Sequence, residues 1–198
     1  MDTVDRTPVW LLDIDGVVNA ISRKPDRNVW PRDQWVTGTA TSAGVDWPIL
    51  AAQPVLDFIR AVHEKGRAEV RWHTTWQHDA ANLARLLGLP SFETQECPEF
   101  GEREQALAGA APTAVSHGWW KYPAAERVVR DEGRPLVWTD DDATWELRGH
   151  DNGAELARLA PTLIVSPPAH LGLTPKHLRH IDAFLAIQAP RPGDRAGA

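Results

Sequence analysis

The sequence is poor in cysteine and contains no long hydrophobic run. Its 198 residues include one cysteine, Cys97, which excludes an internal disulfide. No stretch approaches the roughly 20 apolar residues that a membrane-spanning helix needs, and the first residues lack the basic and apolar segments of a secretory signal. We therefore expect a cytoplasmic protein with no membrane partner, in which Cys97 is an ordinary loop or core thiol.

Basic residues are also scarce relative to acidic ones. The chain has 21 Lys and Arg against 27 Asp and Glu, which gives a formal net charge of -6, and the basic side chains form no long cluster. Proteins that grip extended nucleic acid usually present a basic face, so we expect no extended nucleic-acid binding. A small phosphorylated substrate held by a metal ion is compatible with this charge.

Strand and helix patterns alternate along the whole chain. Apolar runs predict strands over residues 9–12, 68–75, 91–96, 135–142 and 162–166, and helical spacing predicts helices over 54–66, 76–88, 122–133, 153–160 and 174–188. This alternation predicts an α/β fold, a three-layer, Rossmann-like parallel sheet with helices on both faces. We expect one domain over residues 1–190, with a long connection over 97–118 and a disordered tail over 191–198.

An insertion is predicted directly after the first strand. A polar, proline-punctuated stretch follows Asn19, and Thr and Val then alternate around two glycines, which predicts a small β-hairpin flap over about residues 20–48. At that place in a parallel sheet, the flap would lie near the edge where ligands bind. Its tryptophans either pack the flap onto the body of the protein or stack on a substrate: Trp30, Trp35 and Trp47.

The most informative stretch begins at Val9, where a short apolar run ends in Asp13 and Asp15. Along a strand, carboxylates two residues apart point the same way, so like charges would lie close together at the rim of an apolar sheet. This costs free energy unless a cation or a bound proton relieves the repulsion. Gly16 lets the backbone turn sharply and leaves its amides accessible. The stretch indicates a metal and anion site, although a capped strand end with a turn has the same residue types.

The motif Asp-Ile-Asp-Gly-Val-Val-Asn, residues 13–19, resembles the first motif of the haloacid dehalogenase-like (HAD) superfamily, whose members mostly hydrolyse phosphate esters. The resemblance implies that Asp13 is the nucleophile and that Asp15 is the general acid and base. An aspartate at position 15 points to a phosphatase, because the dehalogenases of the family lack an acid there and its transport ATPases carry a threonine. The short insertion indicates a minimal-cap member.

Two further family motifs are matched in order along the chain. Thr74, at the end of the second predicted strand, matches the Ser or Thr of the second motif, with Thr75 as the cap of the next helix. Lys121 precedes the helix that begins near Pro123 and matches the basic residue of the third motif. By themselves, the threonines also suit strand ends or helix caps, and a lone lysine is usually exposed to solvent.

Three consecutive aspartates end the strand predicted over residues 135–142. Consecutive carboxylates at the end of an apolar strand need a cation, and carboxylate oxygens suit Mg²⁺. The fourth motif of the family corresponds to Asp140 and Asp141, with Glu146 as a candidate distal acid. Because three aspartates are consecutive, the match to the fourth motif could be shifted by one residue. We favour Asp141 as the direct ligand, and Asp142 is then a candidate cap of the next turn.

Taken together, the motifs predict an Mg²⁺-dependent phosphohydrolase that acts through an aspartyl-phosphate intermediate. The predicted substrate is a small phosphate monoester, with nucleotides and phosphorylated nucleic-acid ends included. The metal would be bound by Asp13, by the backbone carbonyl of Asp15 and by Asp140 or Asp141. The predicted catalytic residues are Asp13, Asp15, Thr74 and Lys121.

Other functions also fit parts of this pattern. A catalytically silent module of the same fold could bind a phosphorylated ligand without turnover. A metal-dependent nuclease is a third option, to which the acidic charge gives little support. Five histidines have spacings that match no zinc pattern, so we expect them on helix surfaces or in the core: His63, His73, His78, His177 and His180.

Overall fold

The computed structural model describes residues 6–97, 120–147 and 152–189. Within these ranges the strands are β1 (Val9–Leu12), β2 (Trp35–Ser42), β3 (Val45–Ala52), β4 (Glu69–Trp72), β5 (Glu93–Thr94), β6 (Leu136–Thr139) and β7 (Thr162–Val165). Five of them form a parallel sheet in the order β5-β4-β1-β6-β7, and β2 and β3 form a separate antiparallel hairpin.

Helices connect these strands, which confirms the predicted α/β class. The helices are α1 (Gln53–Glu64), α2 (Ala80–Leu87), α3 (Lys121–Arg130), α4 (Ala143–Glu146), α5 (Asn152–Leu159) and α6 (Pro175–Gln188). In the ranges given above, none of them combines the length and the apolar character that crossing a bilayer requires.

β1 lies at the centre of the parallel sheet, between β4 and β6. Its four residues are fully buried, and they alternate between two apolar clusters. Trp10 and Leu12 pack in the larger cluster with residues of α1, α2 and α6, whereas Val9 and Leu11 pack in the smaller one with residues of α3 and α5. Burial of both sets explains why this strand is a continuous apolar run.

The helix ends largely follow the predicted signals. α1 has Pro54 in its first turn and ends just before Gly66, whose φ is 58°. At the start of α6, the Thr174 hydroxyl accepts the backbone N–H of His177 at 3.5 Å, and the His177 ring accepts the backbone N–H of Thr174 at 3.2 Å. The predicted cap of the last helix is therefore confirmed.

The helix predicted from residue 76 begins later than expected. Residues 77–79 form a short 3-10 turn, and α2 starts at Ala80 after Asp79, so the predicted cap at Thr75 is wrong. Gln77 has a φ of 48°, which interrupts helical geometry. Its side chain supports this conformation by donating to the Thr74 carbonyl at 2.7 Å and by accepting the Cys97 N–H at 3.1 Å.

The antiparallel hairpin lies between β1 and α1. Its predicted end at residue 48 is wrong, because β3 continues to Ala52 and runs directly into α1. The hairpin packs against α2: a Cβ at Gly38 would lie 2.9 Å from the side chain of Leu86. The last four residues of β3 are buried, so this part of the strand does not follow the alternating pattern.

The tryptophans of this region have different environments. Trp30 is buried, and its Nε1 donates to the carbonyl of Leu173 at 3.1 Å. Trp35 packs against the larger apolar cluster, whereas Trp47 on β3 is 49% exposed. Packing onto the body therefore accounts for Trp30 and Trp35.

Two predictions fall mainly on residues outside the described ranges. One is the connection over 97–118, of which only residue 97 is described, and the other is the tail over 191–198. Cys97 itself is buried, as expected for a core thiol.

Candidate functional site

Two acidic residues follow neighbouring central strands. Leu12 pairs with Thr139 at the carboxyl ends of β1 and β6, so the next residues, Asp13 and Asp140, lie side by side. The backbone N–H of Asp13 donates to the carbonyl of Thr139 at 3.1 Å. Both aspartates are buried. One edge of an apolar sheet thus carries two adjacent carboxylates.

Lys121 is the first residue of α3, and its ammonium bridges the two carboxylates. Nζ donates to Asp13 Oδ2 at 2.6 Å and to Asp140 Oδ2 at 2.7 Å. The other oxygens accept backbone N–H groups, Asp13 Oδ1 from Ile14 at 2.7 Å and Asp140 Oδ1 from Asp142 at 2.9 Å. Because Lys121 is buried, the alternative of a solvent-exposed lysine is wrong.

Burial and charge together shift the ionisation of this cluster. Burial raises the pKa of Asp13 to about 7 against the attraction of the Lys121 ammonium, and the neighbouring Asp140 adds to the rise. Burial also disfavours the charged form of Lys121, but the two carboxylates outweigh it and raise the pKa of that ammonium. One ammonium balances one carboxylate, so the cluster carries an excess of negative charge whenever Asp13 and Asp140 are both ionised.

Asp141 completes a group of three carboxylates that could hold a metal ion. One oxygen each from Asp13, Asp140 and Asp141 lies within 4.8 Å of the others. Burial raises the pKa of Asp141 to about 6, with further contributions from Asp142 and Asp140. Both oxygens of Asp140 already accept hydrogen bonds, whereas no other described residue donates one to the Asp141 carboxylate. Of the two, Asp141 is therefore better placed to accept a cation.

Gly16 allows Asp141 to approach the loop after β1. Its φ is 71°, and a Cβ at this position would lie 2.3 Å from Cγ of Asp141. Atoms at that distance overlap, so both the backbone conformation and the available space require glycine. The glycine seen in the sequence thus has a steric role in addition to its conformational one.

Asp15 has a separate set of partners. Its Oδ1 accepts from Asn19 Nδ2 and its Oδ2 accepts from Trp76 Nε1, both at 2.8 Å. From the sequence we expect the side chains of Asp13 and Asp15 to point the same way, as they would along a strand. β1 ends at Leu12, so neither residue belongs to the strand and this expectation does not apply to them. The three-carboxylate group does not include the Asp15 side chain. The structure therefore gives the two aspartates of the motif different environments.

Thr74 lies at the same edge, because Trp72 at the end of β4 pairs with Leu12. The threonine is buried, and its hydroxyl accepts the backbone N–H of Trp76 at 3.4 Å. The described hydrogen bonds do not join this hydroxyl to Asp13 or Lys121. Its position in the fold agrees with the motif, and its contacts are local.

Asn19 and Trp76 are buried at this edge and had no role in the sequence interpretation, whereas His73 is buried in the core, one of the two environments expected for it. Asn19 and Trp76 bind Asp15, and His73 lies against the rings of Trp120 and Trp138 with centroid distances of 5.0 and 5.7 Å. Burial lowers the pKa of His73 well below its usual value, so its imidazole is neutral. The position of Trp76, directly after Thr74 and Thr75, could have indicated a contact at this edge, since a buried indole N–H usually has a hydrogen-bond partner.

The other histidines, which were expected on helix surfaces or in the core, lie in separate places. His63 packs against Phe92 with a centroid distance of 5.2 Å, His78 is exposed, and His177 belongs to the cap of α6. The side chain of Glu146 lies outside the described residues.

The arrangement offers carboxylate oxygens for a hard divalent cation and one ammonium for an anionic ligand, at the edge of a parallel sheet where ligands commonly bind.

Comparison of the chain with protein-family models, with curated proteins and with solved structures finds no match.

Proposed function

We propose that the chain is an Mg²⁺-dependent phosphohydrolase of the HAD type, which hydrolyses a phosphate monoester through an aspartyl-phosphate intermediate. One observation carries the proposal: Asp13 is held by the Ile14 N–H at 2.7 Å and by the Lys121 ammonium at 2.6 Å, with two further carboxylates beside it. A site that only binds phosphate needs the cation and is weakened by a buried carboxylate next to it. A nucleophilic role gives that carboxylate a reason to be there.

The donor set fits Mg²⁺. It consists of carboxylate oxygens, which this ion prefers, and their negative charge exceeds that of the single ammonium. Asp141 would be the direct ligand of the ion, with Asp13, Asp140 and the backbone carbonyl of Asp15 as further donors. When bound, Mg²⁺ supplies Lewis-acid stabilisation of the negative charge on the phosphoryl group.

The residues of the chain divide the chemistry between them. A carboxylate oxygen of Asp13 bonds to phosphorus while the bond from phosphorus to the leaving oxygen breaks, and Asp15 donates a proton to that oxygen. Water then attacks the phosphorus, Asp15 removes its proton, and phosphate and free Asp13 are released. Lys121 offsets the repulsion between the attacking carboxylate and the phosphoryl group, and the Thr74 hydroxyl donates to a phosphoryl oxygen.

The proposal extends to the surroundings of the site. Helices on both faces of the sheet would give a three-layer, Rossmann-like fold, with the hairpin and the residues before it acting as a flap. The substrates would be small phosphorylated molecules, nucleotides among them, since Trp47 on the hairpin is 49% exposed and available to stack on a base. A cytoplasmic location suits a chain whose one cysteine is a buried thiol.

Hydrolysis of p-nitrophenyl phosphate in the presence of Mg²⁺ tests the proposal. We expect Asp13→Asn to lower kcat by about 10⁴-fold or more, because an amide cannot replace the nucleophile. Asp33→Asn, at an exposed aspartate before β2, is the control and should retain wild-type activity. Retention of most activity by Asp13→Asn would refute the mechanism. Thermal stabilisation by a phosphate ester without phosphate release would instead identify a silent binding module.

A further inference from the structure

Asp15 is held by two N–H donors that come from different parts of the chain. Asn19 Nδ2 donates to one carboxyl oxygen and Trp76 Nε1 donates to the other, each at 2.8 Å. Hydrogen bonds are directional, so a carboxyl group with one bond on each oxygen cannot rotate without weakening both. Asp15 is only partly buried, and packing alone does not fix it.

Asn19 is itself fixed by the backbone around it. Its Oδ1 accepts the backbone N–H of Leu50 in β3 at 2.9 Å, and its carbonyl accepts the backbone N–H of Gly16 at 2.8 Å. Because the amide oxygen must face the Leu50 N–H, the amide nitrogen must face Asp15. The orientation of the side chain is therefore determined by its partners.

Trp76 is fixed by burial. The residue is 4% exposed and belongs to the larger apolar cluster, and its backbone carbonyl accepts the N–H of Asp79 at 2.9 Å. Its indole has one polar atom, a donor, and that atom points at Asp15. The ring therefore presents a hydrogen bond of set direction.

Both donors on Asp15 are neutral, in contrast to the ammonium on Asp13. Among the described residues, no Lys or Arg side chain forms an ion pair with Asp15, whereas Lys121 pairs with Asp13 at 2.6 Å. Neutral N–H groups fix the direction of the carboxyl group without adding a positive charge, and each oxygen keeps a second lone pair for a proton.

We propose that Trp76 and Asn19 are positioning residues for proton transfer by Asp15, an inference that rests on the proposed function. They hold the carboxyl group where its proton reaches the leaving oxygen as the bond from that oxygen to phosphorus breaks and the bond from Asp13 to phosphorus forms. The same orientation serves the second step, in which Asp15 takes a proton from the attacking water.

Two phosphate esters with different leaving groups test the inference. An alkoxide leaving group needs a proton, whereas p-nitrophenolate leaves readily without one. The value of kcat/KM reports the steps up to and including transfer of the phosphoryl group to Asp13. Trp76→Phe keeps an aromatic side chain, although a smaller one, and removes the indole N–H. For this variant we expect kcat/KM on β-glycerophosphate to fall about 10-fold to 100-fold. On p-nitrophenyl phosphate the loss should stay below about threefold.

Trp30→Phe is the matched control. It also removes one N–H from a buried tryptophan, whose bond to the Leu173 carbonyl is 3.1 Å long, and it should leave the ratio of the two kcat/KM values unchanged. Asn19→Asp is a second test, because it keeps an acceptor for Leu50 and replaces the donor that faces Asp15. We expect the same selective loss, with melting temperatures showing that the variants are folded.

Equal losses on the two esters, no loss, or a selective loss in Trp30→Phe would overturn the inference while leaving the proposed function in place. If the wild-type protein did not hydrolyse the esters, or if hydrolysis did not depend on Asp13, the proposed function would be refuted together with the inference. The Asp13→Asn variant, assayed on both esters in the same series, separates these two results.

Discussion

The two edges of the parallel sheet both carry buried charges, but the charges are balanced at one edge and unbalanced at the other. At the amino-terminal edge, two arginines and two glutamates form one ion-pair network: Glu69, Arg71, Glu132 and Arg134. At the carboxyl edge, the Lys121 ammonium pairs with two of three clustered carboxylates. The number of positive charges equals the number of negative charges only in the first cluster.

We infer that the paired charges stabilise the fold and that the unpaired ones belong to the proposed site. Burial opposes ionisation of Glu69, but hydrogen bonds from Arg71 and Arg134 outweigh it and lower the pKa of that carboxyl. At the other edge, burial raises the pKa of Asp13 to about 7 in spite of Lys121. The arginines of the first cluster pair with glutamates of the same chain, whereas the three aspartates of the second cluster could hold a further cation.

Of the variants that compare the two edges, one that lacks the Lys121 ammonium should show the largest effect. Lys121→Met leaves Asp13 and Asp140 facing each other, and we expect kcat to fall by about 10²-fold to 10³-fold. In EDTA the melting temperature should fall, and Mg²⁺ should raise it more than in the wild type, because a charge that repels the ion is gone. Lys65→Met, at an exposed position after α1, is the control. An unchanged kcat would remove Lys121 from the site.

Breaking the balanced network should lower stability and leave hydrolysis unchanged. Arg71 holds Glu132 through two N–H bonds at 2.7 and 2.9 Å, so Glu132→Gln weakens the pairing of a buried guanidinium. We expect the free energy of unfolding, measured in urea, to fall by about 2 kcal/mol.

Glu126→Gln is the matched control for this variant. The side chains of Glu126 and Glu132 are both 31% exposed, but their arginine partners are 55% and 9% exposed. An ion pair with an exposed arginine contributes little, so the control should lose less than about 0.5 kcal/mol. Equal losses in the two variants would show that burial of the arginine is not what matters.

The smallest expected effect is an opposite response of the two edges to pH. The pKa of Glu69 is lowered from its usual 4.5, so its contribution to stability is present above that pH and is lost as the pH falls through the folded-state pKa. The pKa of Asp13 is raised from 3.8 to about 7, so its contribution is present below about pH 4 and is lost as the pH rises through 7.

Melting temperatures in EDTA at a series of pH values check this prediction. Asp13→Asn should gain stability relative to the wild type as the pH rises from about 5 to about 8. The deficit of Glu69→Gln relative to the wild type should instead shrink as the pH falls below the usual pKa of glutamate. Parallel trends in the two variants would contradict the contrast between the edges.

Much of the fold could be predicted from the sequence, because the central strands are short apolar runs buried on both faces. This holds for Val9–Leu12 and for Leu136–Thr139. The start of α2 could not be predicted in this way. It depends on the positive φ of Gln77, which is supported by a hydrogen bond with Cys97, 20 residues away in the chain. Local propensity contains no information about such a partner.

In the candidate site too, some contacts could be predicted from the sequence and others could not. Asp13, Lys121 and Asp140 could be predicted to meet, because each lies where a strand ends or a helix begins at one edge of a parallel sheet. The partners of Asp15 could not, since Trp76 lies 61 residues further along the chain. Many side chains can donate an N–H, so the residue type alone does not identify this contact.

The side-chain amide of Asn19 connects the hairpin to Asp15. Its nitrogen is committed to Asp15 and its oxygen to Leu50 in β3. A shift of that strand by about 1 Å would stretch one of these bonds beyond hydrogen-bonding distance. With Asp15 as the proposed proton donor, a substitution that disturbs the pairing of β2 with β3 should alter proton transfer before it unfolds the protein.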